Sequence, residues 1–319
     1  MAKFTNIDSL TYCGKEASEI FVKNLYESDV KGYGIKYLPE VKGKQKLYDG
    51  SISDLYQKYS CQFAPKGSVK LNESTIEPTT LKVNLEICYD EFWGTFLSEQ
   101  TEISLNGGIP QSFSEFLFNK VLVPELKKEY EELFFNGDTT GTGATYTNKT
   151  YLKLADGIVK KVKNDSKSKK VTGVELTSSN IIAKVEEVAE AVNNMEDIDV
   201  EGFKIFMNYM DVRKLITALG VNSNSPLTNQ MFSNYSKVGD KLYVYGYEIV
   251  PTRIEKDVIM ASHPMNLVLG FDASDSEISY KMIDMRESTL DNMMRVAVVT
   301  NIAIGVVFPE TVVIAKKED

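Results

Sequence analysis

The stretch ELFFNGDTTGTG, at residues 132–143, has the residue types of a phosphate-binding loop. Glycine lets backbone amides approach a phosphate, and aspartate and threonine add polar side chains. A Walker loop requires a lysine directly after its glycines, but the next lysine here is Lys149. A dinucleotide fingerprint requires a strand before its glycines and a helix that begins among them. This stretch instead follows a predicted helix and faces the carbonyl end of the dipole, which repels anions.

We therefore predict a structural role for this stretch. Asn136 and Gly137 are expected to end the preceding helix in a left-handed cap. Asp138 and the threonines that follow can satisfy local backbone amides. A bulky residue at Gly137 should impair folding or assembly, and no nucleotide chemistry is expected.

Other residues that could do chemistry lack partners in the sequence. His263, in SHPMN, is the one histidine, and we interpret it as a loop residue without a role. The cysteines show no CxxC pairing, which argues against a Cys/His zinc site and favours reduced thiols in an intracellular protein; they are Cys13, Cys61 and Cys88. Two carboxylate pairs are interpreted as solvated helix surface, namely Glu131–Glu132 and Glu186–Glu187.

The segment KKVKNDSKSKK, at residues 160–170, concentrates lysines. It could contact an anion or a nucleic acid, or it could be a mobile, hydrophilic hairpin tip, which we favour. The whole chain has a formal net charge of −9 and a pI near 5.0, which argues against a dedicated nucleic-acid-binding protein.

No segment predicts secretion or a membrane span. The N-terminus MAKFTNIDSLTY has no apolar signal core. The longest apolar stretch, from Val296 to Phe308, is shorter than the ~18 residues that a membrane helix needs, and its β-branched residues favour a buried strand.

The elements that must position these residues begin with helices at 15–29 and 112–135. Ser112 and Glu115 form a capping box for the longer helix, and Pro124 should kink it or split it in two. Residues 41–78 are polar and weakly patterned, which is typical of a segment that reaches out to something. Residues 81–93 alternate as a strand, and a short helical piece follows.

The second half alternates helices and strands, which predicts a mixed α+β fold. An amphipathic helix begins near Ser178 or Ser179, either of which can cap it, and another is ended by Gly220. The predicted apolar face of the first helix is Ile181, Ile182, Val185, Val188, Ala189 and Val192. Strands are predicted at 203–208, on both sides of Gly246, in DVIMAS, NLVLGFD and EISYKMIDM, and in the C-terminal apolar runs.

Several segments, in this order, resemble the major capsid protein family of tailed bacteriophages, with its Hong-Kong-97-type shell fold. The helix 112–135 running into FFNGDTTGTG resembles the family's spine helix, and LADGIVKK, at 154–161, is similar to the start of its axial domain. FKIFMNYMDVRKLITALG, KLYVYGYEIVPT and MMRVAVVTNIAIGVVFPETVVI resemble later strands and helices. MNLVLGFDASDSEISY is also similar, although Phe271 is an extra residue between glycine and aspartate. The resemblance covers about residues 80–319.

This resemblance implies an α+β capsid fold with five regions. They are an N-terminal arm at 1–40, an extended E-loop at 41–78, a peripheral domain at 79–150 that includes the spine helix, an axial domain at 151–270, and returning peripheral strands with a C-terminal axial strand at 271–319. A subunit that occupies both pentamers and hexamers must flex, which makes Pro124, Asn136, Gly137 and Asp138 candidates for a structural hinge.

The function implied is a non-enzymatic shell protein of an icosahedral phage head that encloses double-stranded DNA and is assembled in the host cytoplasm. Its partners would be further copies in pentamers and hexamers, a scaffold protein, a portal and head-decoration proteins, with weak non-specific contact to DNA and no membrane. No cofactor, metal or catalytic residue is expected. Two alternatives stay open: an encapsulin-like compartment shell, and an α+β enzyme with a carboxylate-only site.

Overall fold

The computed structural model describes residues 32–39, 41–53, 56–59, 61, 65–105, 113–142, 144–195, 201–220, 235–238, 241–270, 280–286 and 289–317. The predicted helix at 15–29, Ser112 and Phe271 lie outside these residues, as do most of the residues predicted as an N-terminal arm.

The described elements mix runs of strands and runs of helices along the chain. The strands are β1 (Lys36–Leu38), β2 (Gln45–Ser53), β3 (Ser68–Ile76), β4 (Thr79–Cys88), β5 (Lys169–Thr172), β6 (Lys204–Asn208), β7 (Tyr235–Val238), β8 (Lys241–Val244), β9 (Tyr247–Thr252), β10 (Val258–Ser262), β11 (Leu267–Gly270), β12 (Tyr280–Asp284), β13 (Met293–Val306) and β14 (Val313–Lys316). The helices are α1 (Tyr89–Leu105), α2 (Phe113–Phe116), α3 (Val123–Asn136), α4 (Ala144–Asn148), α5 (Ile158–Asn164), α6 (Ile181–Asn193) and α7 (Tyr209–Ala218).

The chain divides into two compact units. Unit 1 is built on Thr79–Glu131 and Phe271–Ile302, and unit 2 on Tyr33–Pro78, Glu132–Gly270 and Ala303–Asp319. Each unit therefore contains segments that are distant in the sequence. The five predicted regions and their boundaries stay a prediction.

Unit 1 contains a sheet in which the first part of β13 pairs antiparallel with both β4 and β12. Met294, Val296 and Val298 are buried on one face of β13, as the alternation of apolar residues requires. Helix α1 follows β4 directly. Rings from α1 and α2 form an aromatic cluster whose members are Tyr89, Trp93, Phe96, Phe113 and Phe116.

The region predicted as one helix at 112–135 consists of three consecutive helical segments. A π-helical turn, Leu117–Leu122, lies between α2 and α3, and the amide of Val123 donates to the carbonyl of Phe118, five residues earlier. Pro124 has no amide hydrogen and so cannot donate to the carbonyl four residues before it. The wider turn just before Pro124 accommodates this missing donor. Pro124, the sequence signal for an irregular helix, thus lies two residues after the end of the observed π-helical turn.

Unit 2 contains a seven-stranded sheet with the order β5-β14-β10-β6-β9-β8-β7. Helix α6 packs on β10 and β14, and α7 packs on β6 and β9. The core between helices and sheet includes Val188, Ile205, Leu215, Ile249 and Ile259. The strands β8 and β9 form a hairpin whose turn residues, Tyr245 and Gly246, have φ values of 49° and 90°, as expected of a type I′ turn.

The two helices of this core confirm most of their sequence predictions. On α6 all the predicted apolar positions are buried except Ile182, which is partly buried. Gly220 follows Leu219, the C-cap residue of α7, and has a φ of 67°, so it ends that helix in the left-handed conformation. The predicted serine cap of α6 is wrong. The N-cap is Asn180, whose side chain accepts a hydrogen bond from the Thr177 amide instead of capping the helix.

The strands β2 and β3 form a long antiparallel hairpin in unit 2. Its base is packed into a small buried core that contains Ile76, Val41, Val268 and Ala303. The hydroxyl of Ser74 donates to the carbonyl of Val306 at 2.7 Å, which further fixes the base. Away from the base, Tyr56 and Tyr59 are 95% and 89% exposed. The weak pattern at 41–78 thus fits a hairpin whose base is buried, whereas Tyr56 and Tyr59, beyond its strands, are exposed.

Candidate functional site

The glycine-rich stretch forms a neck at which the chain crosses itself in unit 2. The amide of Gly157 donates to the carbonyl of Gly137 at 2.8 Å, and the amide of Asp138 donates to the carbonyl of Leu152 at 2.7 Å. The chain leaves this neck at Asp138 and returns at Asp156, and α4 lies in between. We call the residues from 136 to 138 and from 156 to 160 the neck.

Both glycines of the neck are required by close backbone contact. A Cβ on Gly137 would lie 2.2 Å from the carbonyl oxygen of Ala155, and one on Gly157 would lie 2.6 Å from the amide nitrogen of Gly137. Gly137 is not among the residues with positive φ. The predicted left-handed cap is therefore wrong, and the physical reason for glycine is the space that the returning chain occupies.

Asn136 holds the end of α3 against the segment after β9. Its side-chain amide donates to the carbonyl of Arg253 at 2.7 Å, and its side-chain oxygen accepts from the amide of Glu255 at 2.6 Å. An aspartate could accept but not donate, so the residue type is specified by this pair of contacts.

The interpretation of Glu131–Glu132 as solvated surface is wrong. The two residues are only 1% and 8% exposed. Glu132 accepts hydrogen bonds at 2.5 Å from both Lys149 and Tyr151, which lie between the two halves of the neck in sequence. A buried carboxylate needs such partners because isolated charge is costly away from water. Glu187, by contrast, pairs with Lys184 on an exposed helix face, as expected.

Four oxygen atoms surround the ammonium group of Lys160 in the neck. Its Nζ lies 2.6 Å from Asp138 Oδ1 and 2.7 Å from Asp156 Oδ1. It also donates to Oγ1 of Thr140 at 3.1 Å and to Oγ1 of Thr139 at 3.2 Å. We call this arrangement the lysine cage.

The cage favours the charged forms of all three ionisable groups. Burial alone would raise the pKa of Asp138 and Asp156, but hydrogen bonds from Lys160 and the threonines outweigh it and lower both pKa values. Burial alone would lower the pKa of Lys160, but its bonds to the two carboxylates outweigh it and raise that pKa. The cage is thus a structural ion-pair cluster rather than a pair of carboxylates with separated proton affinities, which acid–base catalysis would require.

The hairpin tip that the sequence favours for the lysine-rich segment 160–170 is wrong. The segment comprises most of α5, a turn and the start of β5. Three of its lysines bond within the unit. Lys160 fills the cage, Lys161 donates to the carbonyl of Ile304, and Lys169 donates to the carbonyl of Ala191 at 2.9 Å. Burial lowers the pKa of Lys161. Three positive charges of this segment are therefore held by contacts within the folded unit.

His263 has a structural role that its sequence context did not predict. Its Nδ1 accepts a hydrogen bond from the amide of Met265 at 3.2 Å, which caps the short 3-10 helix Pro264–Asn266. Within the described residues no cluster of histidine, cysteine or carboxylate groups could hold a metal ion. No described helix has both the length and the apolar character to cross a membrane.

The structure brings three of the predicted hinge residues together and places the fourth elsewhere. Asn136, Gly137 and Asp138 all belong to the neck, whereas Pro124 lies in the first turn of α3. Sequence reasoning missed Gly157, Asp156 and Lys160 as partners of this stretch. A signal was available, since Asp156 and Lys160 are four residues apart, the spacing of a helical ion pair. Hinge motion at these four positions stays a prediction.

No protein-family model and no curated protein matches the sequence. Solved structures do match. A chain of the satellite phage P4 procapsid, which was solved with the size determination (Sid) protein, superposes with a TM-score of 0.60 at 14% identity, over 94% of this chain and 99% of that chain.

Two further phage structures are similar over most of their length. A chain from Gordonia phage Cozz has a TM-score of 0.53 at 12% identity and covers 92% of this chain and 87% of its own. A chain from Microbacterium phage Oxtober96 has a TM-score of 0.50 at 9% identity, over 100% of this chain and 95% of that chain. At such identities the likeness concerns the fold. The chain therefore has the Hong-Kong-97-type α+β fold of phage capsid proteins, as its sequence resemblance implied.

Proposed function

We propose that this chain is the major capsid protein of a tailed phage, a structural subunit that assembles into pentamers and hexamers of an icosahedral head around double-stranded DNA. The observation that carries this proposal is the likeness to a chain of the P4 procapsid over nearly the full length of both chains.

The hairpin of β2 and β3 supports the proposal. Its base is fixed in the core around Ile76, while Tyr56 and Tyr59, near its far end, are almost fully exposed. Large exposed aromatic side chains are costly in water and are typical anchors of protein interfaces. We assign this hairpin to the E-loop and its partner surface to a neighbouring copy of the chain.

The remaining partners follow from the same proposal. The P4 procapsid contains the Sid protein, and we propose that a scaffold protein, a portal and head-decoration proteins act on this chain in the same general way. The net charge of −9 fits a shell that encloses DNA without binding it tightly. Tight, stoichiometric binding of DNA to assembled shells at low salt would contradict this part of the proposal.

Electron microscopy of the purified full chain, with and without a co-expressed scaffold protein, tests the function. We expect closed shells, rings or tubes of regular subunits. A compact monomer that persists at high protein concentration would overturn the proposal. Closed shells that co-purify with a protein cargo rather than with nucleic acid would favour the encapsulin-like alternative.

A further inference from the structure

We propose that Lys160 acts as a tethered cation that closes the neck, in the place where an external cation would otherwise be needed. This inference rests on the geometry of unit 2 and does not depend on the proposed function. It assigns a specific role to one lysine of the segment 160–170.

The oxygen atoms of the cage are oriented by the backbone and not only by the lysine. The amide of Thr139 donates to Asp156 Oδ1 at 2.8 Å, and the amide of Thr140 donates to Asp138 Oδ1 at 2.8 Å. The same two carboxylate oxygens contact the ammonium group of Lys160. The two carboxylates are therefore held at short range of one point, where like charges repel unless a cation lies between them.

The ligands come from both sides of the neck. Asp138 and the threonines follow α3, whereas Asp156 precedes α5, and Lys160 reaches back from the first turn of α5. Its side chain is only 16% exposed, so the ammonium group has exchanged most of its water for protein oxygen atoms. One positive charge thus lies between carboxylates from two chain segments, at the point where Gly137 and Gly157 cross.

Removing the ammonium group should therefore do more than remove one ion pair, because it leaves two facing carboxylates without a counter-charge. The variant Lys160→Ala should unfold at a midpoint temperature lower by about 4 °C or more. The matched control is Lys163→Ala on the same helix. Lys163 makes no ion pair with any residue that the structure describes, so its variant should stay within about 1 °C of the natural chain.

Chemical rescue distinguishes a tethered cation from a lysine that merely packs. Methylammonium chloride should raise the midpoint of Lys160→Ala more than tetramethylammonium chloride does at the same ionic strength, because only methylammonium can donate hydrogen bonds to the cage. The natural chain and Lys163→Ala should show no such difference. Equal effects of the two salts on Lys160→Ala would overturn the proposal.

If Lys160→Ala does not fold, Lys160→Met keeps the aliphatic stem and removes only the charge. We expect Lys160→Met to unfold at a lower midpoint at pH 7, and the triple change Asp138→Asn, Asp156→Asn, Lys160→Met to recover part of the loss, since it removes the repelling carboxylates as well. A midpoint of Lys160→Met equal to that of the natural chain would contradict the role of the charge.

Discussion

The backbone of Gly137 contacts the backbone of Gly157 through a hydrogen bond of 2.8 Å, and neither residue has room for a side chain. This contact joins the end of the long helix α3 to the start of α5. It also gives the glycines of this stretch a structural reason that requires no nucleotide.

Replacing Gly137 by valine should prevent the two backbones from meeting. A Cβ there would lie 2.2 Å from the carbonyl oxygen of Ala155, so the chain must separate at the neck. We expect the free energy of unfolding to fall by about 3 kcal/mol or more, or the subunit to fail to fold. Urea unfolding followed by circular dichroism measures this.

The control for this change is Gly94→Ala in α1, where an added Cβ meets nothing within 4 Å. Alanine favours a helix over glycine, so this variant should be more stable by about 0.5–1 kcal/mol. A Gly137→Val protein with natural stability would show that the crossing can open at little cost.

Replacing Asn136 by alanine should detach the end of α3 from the segment after β9. The carbonyl of Arg253 and the amide of Glu255 both lose their partner, and we expect a cost of about 2 kcal/mol in the free energy of unfolding. Asn148→Ala, on an exposed position of α4, should change stability by less than about 0.5 kcal/mol. Equal stabilities of the two variants would contradict this role of the Asn136 side chain.

Acid should weaken the neck through Asp138 and Asp156. Their pKa values are lowered in the folded chain from the ordinary value of 3.8, so the unfolded chain binds protons first as the pH falls. The resulting stability is fully present well above pH 4 and is lost progressively as the pH falls below about 4. Urea unfolding at a series of pH values measures this slope.

The variant with both Asp138→Asn and Asp156→Asn should be less stable at pH 7 and should show a shallower loss of stability in acid. Asp165→Asn removes a nearby carboxylate that does not contact Lys160, and it should keep the slope of the natural chain. If the double variant lost stability with falling pH as steeply as the natural chain, other groups would be responsible for the acid sensitivity.

Replacing Tyr56 and Tyr59 by serine should impair assembly and leave the subunit folded. Both side chains are almost fully exposed in the single chain, so their loss removes no packing within it. If the hairpin contacts a neighbouring copy, the loss of two aromatic anchors should raise the protein concentration needed for assembly about tenfold or more. Sedimentation velocity measures the assembled fraction.

The paired control is the change of both tyrosines to phenylalanine, which keeps the ring area and removes only the hydroxyl groups. It should assemble nearly as well as the natural chain. Normal assembly of the double serine variant would mean that another part of the chain supplies the contact between copies.

The sequence by itself determined those elements whose residues interact with near neighbours along the chain. The apolar face of α6 follows from helical spacing, since Ile181, Val185 and Val188 recur on one side. The turn at Gly246 and the end of α7 at Gly220 follow from the left-handed conformation that glycine adopts without strain. The buried strand β13 follows from a run of β-branched residues, and the order of such segments implied the capsid fold.

The tertiary structure alone decided what the chemically suggestive residues do. Gly137 is small because Ala155 and Gly157 return against it, Glu132 is buried because Lys149 and Tyr151 reach it, and Lys160 is held by oxygen atoms from two chain segments. Apart from the Asp156–Lys160 pair, local patterns do not contain these contacts, because each of the others joins residues at least 17 positions apart. Whether a glycine bends the chain or makes room for it depends on which other segment passes there.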